Sequence, residues 1–147
     1  MAKDKWHKLP AFTIPLFQSA HVYLATTREQ FQHADKFLGG SGDEKPFNLG
    51  IASNYENTDT GERCYLIGVF DQQIATLVHE CAHVCFYVCS DVGVTTRPED
   101  ANETYCYMLD RMVNHFLPFI QEKQDVSLEY SIPLLPMPTL PVLREDC

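Results

Sequence analysis

The chain has 147 residues, 45% of them hydrophobic, which is enough for one domain with a real core and too few for two. Twenty acidic against eleven basic residues leave a formal charge of −9, and the basic residues are not clustered, which excludes a phosphate-binding surface for nucleic acid. The longest apolar run is interrupted by His79, Glu80 and His83, so no membrane span is expected.

Residues 1–20 read as an irregular arm punctuated by Pro10 and Pro15, with none of the layout of a signal peptide. "HVYLATT" (21–27) has strand composition, and "REQFQHADKFL" (28–38) follows as an amphipathic helix with Phe31, Ala34 and Leu38 on one side. "GGSGDEKP" (39–46) is a loop. "FNLGIASNY" (47–55) and "RCYLIGVF" (63–70) are strands joined by the turn-rich "ENTDTGE", hence a hairpin. Asp71 is placed to cap a helix over 72–90 that ends near Gly93. Pro98 suits the first turn of a second helix running to about Leu117, with Glu99 and Asp100 at its positive end. From 127 to 147 proline recurs too often for helix or central strand, and such a tail is a possible contact for a protein partner. The expected architecture is a single α+β domain over 1–147: a small twisted sheet built from strand, helix and hairpin, packed on two helices.

Cys81, Cys85 and Cys89 recur every four residues along one helix, where neighbours rarely reach disulfide geometry, and the chain has no CxxC pair. Free, buried thiols in a reducing compartment follow, so a cytoplasmic location is expected.

The chemistry sits in "IATLVHECAHVCFYVCSD" (74–91). On a helical wheel Ile74, Leu77, Cys81, Val84, Cys85 and Val88 form the core side, while His79 and His83 lie about 40° apart on the other. Two histidines one turn apart can share a metal ion. The intervening Glu80 points aside, close enough to take a proton from a water on that ion. A zinc site needs a further protein ligand. Cys89 sits about 80° from His79 on the wheel and belongs with the core. The next helix carries a polar stripe of Glu103, Tyr107, Asp110 and Asn114 opposite Tyr105, Met108, Leu109, Met112 and Phe116, with Glu99 near the stripe as second choice. His7, His21 and His33 have no partners at ligand spacing and read as surface or structural side chains.

HExxH over 79–83, followed twenty residues after His83 by the dipeptide Asn102-Glu103, resembles the gluzincin branch of the zincin metallopeptidases, as in thermolysin-like enzymes. The resemblance covers about 30 residues. It implies a compact zincin-like fold, Zn2+ as cofactor on His79, His83 and Glu103, and hydrolysis of peptide or protein substrates by a zinc-activated water with Glu80 as general base. In that family an aspartate four residues after the ligand glutamate orients the first histidine. Tyr107 stands there in this chain, leaving Asp110, Tyr107 or a backbone carbonyl for the task. Tyr107, His115 and Tyr55 are the candidates for stabilising the oxyanion. The strand 63–70, just before the motif helix, resembles the zincin edge strand on which an extended substrate pairs. The alternative is a zincin-shaped binding or assembly protein with a structural zinc site, or none.

Overall fold

A computed structural model describes residues 8–99 and 103–121. Four strands, β1 (Ala11–Thr13), β2 (Ala20–Ala25), β3 (Gly50–Glu56) and β4 (Arg63–Val69), form one mixed sheet in the order β1-β2-β4-β3. The β2 and β4 strands run parallel; β1 on β2 and β3 on β4 are antiparallel. Helix α1 (Arg28–Phe37) covers part of one face. The other face carries α2 (Ile74–Val92) and α3 (Glu103–Phe116), which ends in a 3-10 turn, Leu117–Phe119. This is an α+β arrangement, and among the described residues no helix is long and apolar enough to cross a membrane.

The sequence of β4, RCYLIGV, explains its central place. Tyr65 through Val69 are all buried, as a strand covered on both faces requires. Tyr65, Ile67 and Val69 join Val22 and Leu24 against α2, whereas Leu66 packs with Phe31 and Ala34 of α1. The edge strand beside α2 is therefore β3, not the segment 63–70. An unbroken apolar run marks an interior strand, and the mixed polarity of GIASNYE marks an edge.

The arm expected over 1–20 contributes more than an irregular cover. Ala11–Thr13 adds a strand to the sheet, Ile14 is fully buried, and Phe12 packs on Phe116. A strand of three residues between two prolines shows no readable period, and only an edge position tolerates prolines so close. Both α2 and α3 start later than expected. Gln73 holds the N-cap position of α2 without a side-chain bond. Asp71 works one step earlier, accepting from the Gln73 N–H at 3.1 Å and the Thr76 hydroxyl at 2.7 Å. Ile74 is consequently at the exposed start of the helix rather than in the core. Pro98 and Glu99 occupy a turn rather than the helix, and α3 is described from Glu103. The proline-rich stretch 127–147 lies outside the described residues.

At its far end α2 stops on Gly93, whose φ of 73° is the left-handed cap that glycine adopts without Cβ strain. Asp91, two residues earlier, faces the negative end of the helix dipole. It is held there by an ion pair with Arg63 and by the Tyr65 hydroxyl, which donates to it at 2.6 Å. These bonds lock the end of α2 to the start of β4. Tyr65→Phe should cost about 1–3 kcal/mol, because it takes a buried donor from a carboxylate. A urea midpoint unchanged by the substitution would contradict that role.

Candidate metal centre on helix α2

The rotation of α2 is set by Leu77, Cys81, Val84, Cys85, Val88 and Cys89, all fully buried. With that side sealed, the 100° step turns His79 and His83 outward, and both are exposed. Their Nε2 atoms stand 3.1 Å apart and the rings meet edge to face, centroids 4.8 Å apart. Glu80 turns toward β3 and is buried at 7% exposure.

What accommodates Glu80 is a missing side chain. A Cβ on Gly50, the first residue of β3, would lie 2.7 Å from Glu80 Oε1, 2.9 Å from its Cγ and 2.5 Å from Thr76 Cγ2. Thr76 cannot easily yield, because its hydroxyl is tied to Asp71. The edge strand thus crosses α2 at van der Waals range, with the carboxylate pressed against it. Burial pushes the Glu80 carboxyl above the usual carboxylate range; His79 and His83 pull the other way and do not cancel the shift. A carboxylate beside two imidazoles, with a raised pKa, is equipped to accept a proton. Neither Gly50 nor the Asp71–Thr76 pair was singled out by the sequence. The role of Gly50 shows only in the remote approach of β3 to α2, and that of Thr76 in its bond to Asp71.

Zinc is the ion that the motif implies. A tetrahedral ion with Zn–N bonds near 2.0–2.1 Å sets two imidazole nitrogens about 3.3 Å apart, close to the spacing present here. The pair fits. Glu103 is not brought to it: Met108, Met112 and Phe116 are the buried side of α3, and Glu103 is exposed about 180° around the helix from that side. Glu99 is exposed as well. Among the described residues no three His, Cys, Asp or Glu side chains converge as metal ligands.

The polar stripe of α3 is thus its solvent face. On it the Asn114 amide donates to Asp110 at 2.9 Å, and Tyr107 is 65% exposed. Tyr55 donates to Asp35 of α1 at 2.6 Å, which commits it to the opposite side of the sheet, and His115 packs among Phe12, Phe116 and Phe119. The residue that does reach α2 beside the pair is Tyr105, ring to ring with Phe86 at 4.9 Å and donating to the Ala82 carbonyl at 3.4 Å. Cys64, Cys81, Cys85, Cys89 and Cys106 are free, and burial pushes the Cys85 thiol up to about 12, so the column within α2 stays protonated and inert.

Two outcomes test this geometry. Gly50→Ala should destabilise the protein by about 1–3 kcal/mol through overpacking, and Thr76→Ser in the same chain should recover part of the loss by removing the nearest methyl. Unchanged urea midpoints would refute the close approach. In metal-free protein, Glu80→Gln should raise Tm at pH 7 by a few degrees. A carboxyl with a raised folded pKa is penalised once ionised, and the gain should vanish below pH ~4, where both states are protonated. A lower Tm at pH 7 would contradict it.

Comparison with known proteins finds no matching family model, no matching curated protein and no matching solved structure.

Proposed function

We propose that this chain is a zinc-dependent peptidase with a compact zincin-like fold. The observation that carries the proposal is the imidazole pair at 3.1 Å with a buried glutamate between them in sequence, tucked under an edge strand. Strand, helix, antiparallel hairpin and HExxH helix, in that order, accord with the reading.

His79 and His83 are the proposed metal ligands, and Glu103 is the third by resemblance. Zinc held there supplies Lewis acidity that brings the pKa of a coordinated water toward neutrality. Glu80 is the base that accepts the proton at its carboxylate and later returns it to the leaving amine. Its burial, which raises its pKa, suits both halves of that task. The outer edge of β3 offers backbone groups on which an extended peptide can pair, and Gly50 brings that edge against Glu80.

One observation favours the alternative, a zincin-shaped binding or assembly protein: Glu103 stands on the solvent face of α3. Zinc content and proteolysis separate the readings. The peptidase should bind one zinc per chain, lose proteolysis of an unfolded protein substrate on Glu80→Gln while keeping the metal, and lose metal on His79→Ala. Glu103→Ala should weaken zinc retention far more than Glu99→Ala. Zinc bound without any proteolysis supports the binding protein, and equal effects at 99 and 103 reject Glu103 as ligand.

A further inference from the structure

One cavity of the described residues lies away from α2. It measures about 590 Å³ and opens on the opposite face of the sheet, where α1 is too short to cover the starts of β2 and β4. Its floor is a row fixed by strand register. His21 on β2 is paired with Cys64 on β4, and Cys64 with Tyr55 on β3. All three residues line the cavity, with Tyr23, Phe37 at the end of α1 and its C-cap Leu38.

The row is large, small, large. Cys64 sits between two rings whose backbones are two strand spacings apart, about 10 Å. Stacking on an aromatic ring takes centroid separations of roughly 4.5–7 Å, so one planar ring fits between the walls, above the thiol. Both walls are pinned from outside. Thr13 Oγ1 lies 3.1 Å from His21 Nδ1, and the Tyr55 hydroxyl is held by Asp35 at 2.6 Å. Neither bond serves α2, and the parallel pairing of β2 with β4 is what brings His21 level with Cys64.

Charge selects among planar ligands. Glu56 and Glu62 line the rim, and the one guanidinium there, Arg63, is already shared between Glu56 and Asp91. Burial keeps the Cys64 thiol protonated, so the floor adds no charge. An anion is disfavoured at such a mouth, on a chain of net −9. A cation beside aromatic faces is favoured.

We propose that this slot is a second binding site, for a planar aromatic ring carrying a positive charge, seated between His21 and Tyr55 over Cys64. It is independent of the metal centre and of any peptidase activity.

The test is a backbone-amide NMR titration of the 15N-labelled full chain with tryptamine, using indole-3-acetate as the same ring with the opposite charge. Tryptamine should give saturable shifts centred on His21, Cys64 and Tyr55, and the anion should bind at least about tenfold more weakly. Cys64→Phe, which fills the slot, should abolish the shifts. Should that variant lose its dispersed spectrum, Tyr55→Phe, which frees the wall from Asp35, should weaken binding several-fold in a folded protein. No saturable shift with tryptamine, shifts centred elsewhere, equal binding of the anion, or full affinity in the folded variants would overturn the proposal.

Discussion

Six side chains of α2, from Leu77 to Cys89, are sealed against the sheet and α3, and that burial fixes the rotation of the helix about its axis. Each apolar side chain so enclosed is worth about 1.5–3 kcal/mol, more than any single polar contact of the exposed side can oppose. Once the rotation is fixed, the helical step leaves no freedom over where His79, Glu80 and His83 point. The imidazoles face water together, and the carboxylate faces β3. The clamp of Arg63 and Tyr65 on Asp91 holds the far end of the same helix, while Asp71 and Thr76 define its start.

Glu80 is where the fold accepts a cost in stability. Burying a carboxylate beneath a strand disfavours its charged form, as its raised pKa records. The same pressure holds the group at one place and in a state suited to exchanging protons. Gly50 permits the contact: any larger residue would move Thr76 or the glutamate itself. The cysteines above it add volume without reactivity, since burial keeps them protonated.

Much of this was legible in the sequence where a period or a cap spoke for itself. The strands around 21–27 and 63–70, the hairpin, α1 with its buried Phe31 and Ala34, the outward imidazoles and the Gly93 stop all follow from local pattern. What escaped depends on remote partners. Ala11–Thr13 is a strand only because β2 offers it an edge. Strand 63–70 looked like an edge by its place before the motif helix, and it is interior because β2 and β3 both claim it. The polar stripe of α3 was ambiguous between a ligand and a solvent face. Packing of Met108, Met112 and Phe116 turns it to solvent, and sequence period alone cannot say which neighbour a stripe meets. The row of His21, Cys64 and Tyr55 is invisible for the same reason, being spread over three strands.

The central claim is that α2 presents His79 and His83 as joint ligands of one ion. X-ray absorption at the zinc edge of metal-loaded protein addresses it most directly. The account predicts one zinc per chain with two imidazole shells at about 2.0–2.1 Å and oxygen in the remaining positions. A first shell dominated by sulfur, a shell lacking imidazole, or zinc that washes away at stoichiometric protein would contradict it.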